Sequence, residues 1–416
     1  MNTKEVIVIG GGPAGMMAAI KASELGNKVI LIEKNSSLGE KLLLTGKGRG
    51  NITNFCDLDF FIEKFSNKNG QFLRNAFKKF FNQDLISFFE KRELKLKVER
   101  QNRVFPANDQ VQSVLEILKN ELSKNKVEIF YNTKLKDILI ENKEIKEIIL
   151  ENGKIISTKK VILATGGVSF PFTGSTGEGL KISQKLGHTI VPLMPGLVPL
   201  KIKEEFPNLL KGLTLKNIRF KITCEKKQII SDIGELLFTH FGISGPLILS
   251  LSAKIVNWLN QKKSVNIKID LKPGLSNEQI KERLLREIKL NSKKSVLSIM
   301  KTFLPQRLAE VFMQILKIDS NKKISQINQY EQEEIISLLK SFPLSITGFL
   351  SREKAMITQG GISLKEIDPC TMQSRLINGL YFCGEMIDVD ADTGGFNLQA
   401  AFSTGYLAGE SSVLNF

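Results

Sequence analysis

The chain has 416 residues, 42% of them hydrophobic, and a formal net charge of +16. That length exceeds what one hydrophobic core usually serves, so two or three domains are expected, and no run approaches the ~18 uninterrupted apolar residues of a membrane-spanning helix. The four cysteines, Cys56, Cys224, Cys370 and Cys383, lie far apart with no C-x-x-C pair. They argue against a disulfide framework or a metal site and for small buried hydrophobes. The N-terminus passes from a short polar lead into Val6-Ile7-Val8-Ile9 with no charged leader or cleavage site, so a cytoplasmic protein with no membrane partner is expected.

The positive charge would draw the protein toward polyanions, because lysines that neutralise phosphates release condensed counterions. Only eleven of the 59 basic residues are Arg, so a general drift toward Lys and Asn explains the balance equally well. Between Lys281 and Lys323, however, eleven basic residues face four acidic ones, a net +7 in 43 residues, where the bland reading is a solvated helical face.

In chain order, Val6 to Ile9 and Val29 to Ile32 read as continuous buried strands. Phe72 to Phe89 has helical apolar spacing, as does Val111 to Leu122, and Val161 to Ala164 is a further strand. Strands alternating with helices predict an α/β domain with a mostly parallel sheet covered on both faces. From Pro192 the texture changes: prolines at 192, 195, 199 and 207 punctuate short runs such as Ile218 to Thr223 and Val265 to Leu271, which favour strands. Residues 192–272 are therefore expected to form an inserted β-rich domain. After Pro273-Gly274 the pattern turns helical, with Ser276 as a helix N-cap, and residues 273–345 form an inserted helical region. Gly-rich turns return from Gly348 around a strand at Leu380 to Cys383, so the first domain is discontinuous, comprising 1–191 and 346–416.

The chemistry begins at Gly10-Gly11-Gly12-Pro13-Ala14-Gly15, a G-x-G-x-x-G between a buried strand and a helix. Gly10 permits the tight turn, Gly12 lets a pyrophosphate approach the backbone, and Gly15 lets helix and strand pack closely. The helix N-terminus then faces the phosphates with unpaired N–H groups. Glu33 ends the second strand 23 residues after Gly10, where its carboxylate would accept hydrogen bonds from ribose hydroxyls and repel a 2′-phosphate. The pair excludes NADP as the ligand of this site. FAD rather than NAD is argued by the strand ending in Ala164-Thr165-Gly166-Gly167, and by Gly379 to Glu385, Asp388, and Gly394-Gly395-Phe396-Asn397-Leu398-Gln399. These resemble a strand that delivers an acidic residue to the ribityl chain, followed by a helix whose N-terminus would stabilise negative charge on a reduced flavin.

Longer segments carry a resemblance along essentially the whole chain. They are Thr45-Gly46-Lys47-Gly48-Arg49-Gly50-Asn51-Ile52-Thr53-Asn54, Arg103-Val104-Phe105-Pro106, Leu237 to Pro246, Thr358-Gln359-Gly360-Gly361, and Gly384 to Gln399. The chain resembles the bacterial BaiN/RdsA-type NAD(P)/FAD-dependent oxidoreductases, which include YhiN-like and aminoacetone oxidase-like members. Many of those carry Cys where this chain has Gly50. The resemblance implies a Rossmann-like FAD-binding domain of the glutathione-reductase and fumarate-reductase type, interrupted by a β-barrel-like and helical insertion. It also implies NADH or NADPH as electron donor, at a transient site, since no second Rossmann motif is present. The FAD contacts expected are Gly10, Gly12, Pro13, Ala14, Gly15, Glu33, Lys34, Gly48, Arg49, Asn51, Leu135, Ala164, Thr165, Gly166, Glu385, Asp388, Gly395, Asn397 and Leu398.

Three functions follow. The first is reduction of an activated carbon–carbon double bond, extended by the resemblance to uridine in ribosomal RNA and to enones of bile-acid-like steroids; the second is oxidation of a small amine; the third is a structural use of FAD. The basic balance favours the RNA reading, with a small-molecule substrate as the alternative. His240 is the proton-donor candidate, against a plain turn histidine; His188 looks like a helix-end residue. Arg49 and Arg103 are candidate contacts to phosphate or a carbonyl-rich base, against surface salt bridges. Phe105, Phe238 and Phe241 are candidates to stack on a base that has left its helix.

Overall fold

The computed structural model describes residues 5–414, so the polar lead at the N-terminus lies outside the described residues. The chain divides into two compact units, Met1–Gly196 with Ser351–Phe416, and Leu197–Leu350. The insert expected over 192–345 thus begins and ends five residues later, at 197 and 350. Ile190–Gly196 pairs antiparallel with Ile357–Ile362 inside the first unit, and Phe342–Phe349 is a strand of the second.

The first unit is a Rossmann-like domain. Its five-stranded parallel sheet runs in the order Leu380–Phe382, Lys160–Leu163, Glu5–Ile9, Lys28–Ile32, Glu128–Phe130. Val6, Ile7 and Val8 are fully buried, as expected of strands covered on both faces. Each such side chain contributes roughly 1.5–3 kcal/mol on leaving water. The first helix, Pro13–Glu24, lies against the C-terminal helix Phe396–Val413 with small residues at the seam. A Cβ on Gly405 would stand 2.2 Å from the Ala14 carbonyl oxygen, and one on Gly409 would stand 2.4 Å from that of Ala18. The start of the C-terminal helix is pinned by Phe396 edge-on to Phe61, centroids 4.7 Å apart, in a cluster with Phe77 and Phe81.

Two small antiparallel sheets were not anticipated by the alternating pattern: Thr53–Asn54 with Arg103–Pro106 and Leu96–Glu99, and Leu135–Glu141 with Glu144–Leu150 and Ile155–Ser157. The helical stretch 72–89 is broken at Phe80, whose φ of −152° ends the helix Arg74–Lys79 before Asn82–Glu90 begins. Cys224 and Cys383 are buried as expected and Cys56 is half-buried, but Cys370 is exposed; all four are free thiols.

In the second unit a sheet closes on itself. Thr214–Cys224 pairs with Gly234–Thr239, which pairs with Gly242–Ser244, then Leu200–Ile202, Phe342–Phe349 and Val265–Asp270 follow, and Val265–Asp270 pairs back with Thr214–Cys224. Lys227–Ile230 adds a flap to Thr214–Cys224. The barrel interior is Phe220, Phe238, Phe342 and aliphatic side chains, and four helices between Asn277 and Lys340 share that core. Ser276 caps the first of them, its hydroxyl accepting from the Gln279 N–H. One long helix, Pro246–Asn260, sits within the stretch expected to be mostly strand. Pro246 stands at the first position of that helix, where a missing N–H costs nothing. Among the described residues no helix is long and apolar enough to cross a membrane.

Candidate functional site

The parallel strands of the first unit end at a cleft whose mouth is open to solvent. The outer side of the carboxyl ends of the strands is where open α/β sheets place their ligands. The loop after Glu5–Ile9 forms one wall. Gly10 takes φ +106° and donates its N–H to the Ile32 carbonyl at 2.8 Å, so the turn requires glycine. Gly15 lies behind the cleft wall, where a Cβ would be only 1.9 Å from the Gly10 oxygen. Gly12 caps the first helix and lines the cleft, with nothing within 4 Å of the place a Cβ would occupy. With Pro13 at the first helical position, the free N–H groups of the first turn and the positive end of the helix dipole meet whatever enters there.

Glu33, 9% exposed, stands at the end of Lys28–Ile32. One carboxylate oxygen accepts the Gly11 N–H at 2.7 Å and the other the Asn35 N–H at 2.8 Å. Burial raises its pKa from the ordinary glutamate value, against the lowering effect of those two N–H groups. Each oxygen keeps a second lone pair for a ribose hydroxyl. Lys34 also lines the cleft, but its ammonium is engaged by Thr176 at 2.6 Å and Glu178 at 3.1 Å.

A four-residue network crosses the middle of the cleft. Lys41 donates to Glu385 at 2.5 Å and to the Ser169 hydroxyl at 2.6 Å, while the other Glu385 oxygen accepts the Thr358 N–H at 2.6 Å and the Ser169 hydroxyl at 2.9 Å. Lys41 and Ser169 were missed by sequence reasoning. Lys41 is 344 positions from Glu385, and nothing local marks it. At the far end Gly395, with φ +99°, caps the C-terminal helix; a Cβ there would lie 2.3 Å from the Thr53 oxygen. The next turn puts Asn397 and Leu398 on the cleft wall beside Val389 and Ala400. Leu135, Ala164, Thr165 and Gly166 complete the expected lining.

This cleft fits FAD. An open glycine cradle and a helix N-terminus meet a pyrophosphate, a buried carboxylate meets a ribose, and a second helix N-terminus at the other end suits the anionic edge of a flavin.

Several expected residues lie outside the cleft lining. Arg49 is held by Glu99 and Asp109 and lies 4.2 Å from the Phe105 ring centroid, so the surface-network reading describes it. Those carboxylates hold its guanidinium above the ordinary arginine range. Gly48 belongs to the short turn Thr45–Gly48, and Asn51 is half-buried near it. Arg103 begins a strand, its guanidinium on the Gln101 side-chain carbonyl. Asp388 faces away, its carboxylate accepting from Asn69, because it alternates with Val389, which takes the cleft side. His240 is exposed in the turn between Gly234–Thr239 and Gly242–Ser244, edge-on to Phe241. Phe105 and Phe238 are core residues, not stacking platforms. His188 follows the helix Glu178–Lys185, buried between the Ser183 carbonyl and Ser374, and burial lowers its pKa.

Residues 4–411 match the model of the HI0933-like protein Rossmann domain. The chain belongs to this HI0933-like family. It is a flavin-dependent oxidoreductase, and FAD is the cofactor its cleft is built for. Three curated relatives align end to end. A 3-dehydro-bile acid delta(4,6)-reductase of Clostridium scindens is 30% identical over 98% of both chains. Ribosomal RNA dihydrouridine synthases of Escherichia coli and Haemophilus influenzae are 28% identical over 99% of both chains, and 29% identical over 97% of this chain and 96% of the relative. Solved structures confirm the fold alone. A quinol-fumarate reductase with menaquinol molecules gives a TM-score of 0.52 at 16% identity, covering 99% of this chain and 71% of that one. A 3-ketosteroid delta1-dehydrogenase from Sterolibacterium denitrificans gives 0.52 at 13%, covering 99% and 100%.

Proposed function

We propose that this HI0933-like protein uses NADH or NADPH to reduce a carbon–carbon double bond conjugated to a carbonyl, and that its substrate is uridine in ribosomal RNA. The observation that carries the reading is the end-to-end similarity to proteins whose names share one chemistry. A dihydrouridine synthase and a bile acid delta(4,6)-reductase each saturate a double bond conjugated to a carbonyl. The net charge of +16, with +7 between Lys281 and Lys323, supports a polyanion such as RNA over a small steroid with at most one carboxylate.

The reaction balances as one hydride to the carbon β to the carbonyl and one proton to its neighbour, with NAD(P)H oxidised to NAD(P)+. The chemistry that bound FAD supplies is hydride transfer at its N5. The Gly12 edge and the first helix would hold the pyrophosphate, and Glu33 would take the adenosine ribose. Glu385, oriented by Lys41, Ser169 and Thr358, keeps one acceptor site on Oε2 that would take a ribityl hydroxyl. The apolar wall of Val389, Leu398 and Ala400 excludes water beside them. Incubating the flavin-loaded protein and NADPH with ribosomal RNA lacking the modification tests the reading. One uridine that gains two hydrogens supports it; unmodified RNA, alongside turnover of a steroid dienone, would move the assignment to the small-molecule reading that the C. scindens relative favours.

A further inference from the structure

We infer that the outer face of the barrel, where Thr214–Cys224 lies between Lys227–Ile230 and Val265–Asp270, is the surface on which the sugar–phosphate backbone of RNA docks. The inference rests on the RNA reading above and adds where the RNA is held.

Alternation along these strands is strict. Ile218, Phe220, Ile222, Ile267 and Ile269 fill the barrel interior, so their neighbours Arg219, Lys221 and Lys268 are fixed on the outside, all three exposed. Register places Lys221 directly opposite Lys268, with Arg219 two positions along. Directly opposed side chains stand about 5 Å apart and residues i and i+2 about 6.7 Å apart. The three cations thus form a compact triangle on a scale that suits neighbouring phosphates of one strand. Like charges facing each other across a sheet oppose folding, so a barrel shaped only for stability gains by placing a carboxylate at either position. This one keeps both lysines.

Carboxylates do not neutralise the face. Asp270, opposite Arg219, is taken by the Lys340 ammonium at 2.6 Å and the Lys272 N–H at 2.9 Å, and Glu225 at the strand end is taken by Lys263 at 3.1 Å. Among the described residues, no ion pair engages Arg219, Lys221 or Lys268. The adjoining row is neutral and hydrogen-bonding: Gln228 opposite Thr223, Thr223 opposite Asn266, and Asn266 opposite Ser345. Unpaired cations beside a row of amides and hydroxyls, at positions fixed by a rigid core, suit a phosphate-and-ribose ligand.

The test uses the full chain loaded with FAD and a fluorescent ribosomal RNA fragment, titrated at several salt concentrations. With each lost phosphate contact weighted at ~0.7 in the salt slope of single-stranded RNA, Lys221→Gln with Lys268→Gln should weaken binding about 14-fold at 0.15 M salt and flatten the slope by about 1.4. Lys268→Glu should weaken RNA binding too, yet unfold at a temperature no lower than the unmodified protein, because it replaces repulsion of Lys221 with attraction. Exposed Lys91 and Lys95, both changed to Gln as a control of equal charge, should alter affinity less than twofold. If the unmodified protein binds and the sheet variants bind as tightly, or the control weakens binding as much, the docking face is refuted and the RNA reading stands. If the unmodified protein does not bind the RNA, the RNA reading itself falls.

Discussion

Gly12→Ala separates the cofactor site from the fold. The residue has φ −77° and ψ 179°, which any amino acid adopts, and no atom lies within 4 Å of the position a Cβ would take. In the apoprotein the change is therefore tolerated, and the stiffer unfolded chain should stabilise it by about 0.4–1 kcal/mol. With FAD present the added methyl stands at the cleft wall where the pyrophosphate must meet backbone N–H groups. Loss of one charge-assisted hydrogen bond, about 1.5–3 kcal/mol, corresponds to roughly 13- to 160-fold weaker FAD binding. The contrast is Gly15→Ala, whose Cβ would be 1.9 Å from the Gly10 oxygen; overpacking there should destabilise the apoprotein by about 1–3 kcal/mol. Urea unfolding of the apoproteins and fluorescence titration with FAD read the two effects separately. A Gly12→Ala protein that binds FAD as tightly as the unmodified one, or whose apoprotein is markedly less stable, would refute the reasoning.

Lys41→Met removes the cation that engages Glu385 in a partly buried network. It should lower apoprotein stability by about 1–2 kcal/mol and weaken FAD binding, and adding Glu385→Gln should cost less than the sum of the single changes, a coupling that thermal melts would detect. Arg49→Ala should leave FAD content unchanged and cost about 0.5–1 kcal/mol in a urea titration, since its partners Glu99 and Asp109 are exposed; loss of flavin would restore it to the cofactor site. Asp390 is 5% exposed, and burial holds its carboxyl above the usual range despite hydrogen bonds from Ser66 and Gln359. A carboxyl raised in this way stabilises the fold below its unfolded value, near pH 3.9, and that contribution is lost as pH rises through the folded value. Asp390→Asn should therefore be more stable than the unmodified protein at neutral pH and equal or weaker in acid. Denaturation across about pH 4–8 checks this, and an unmodified protein that gains as much stability as the variant on going from acid to neutral pH would refute it.

Local signals carried most of the first unit. The Gly10 to Gly15 turn, Glu33 and the Gly394-Gly395 helix start depend on backbone geometry within a few residues, so composition and spacing disclosed them. What escaped was set by distant partners. Lys41 meets Glu385 only after the sheet has formed, and Asp388 turns from the cleft because its neighbour Val389 takes that side. Arg49 read as functional because its loop is glycine-rich, while Glu99 and Asp109, which claim it, lie about 50 and 60 positions away. The helix Pro246–Asn260 escaped because the prolines and short apolar runs of residues 192–272 favour strand, and its own apolar spacing shows only over its full fifteen residues.

The oxidative half-reaction distinguishes an RNA substrate from a steroid one. The flavin-loaded protein is reduced anaerobically with NADH or NADPH, ribosomal RNA lacking dihydrouridine is added, and the flavin absorbance is followed. The RNA should restore the oxidised spectrum while dihydrouridine forms in equal amount. A flavin that stays reduced with RNA but is rapidly reoxidised by a steroid dienone would contradict the RNA assignment and leave only the fold and the cofactor standing.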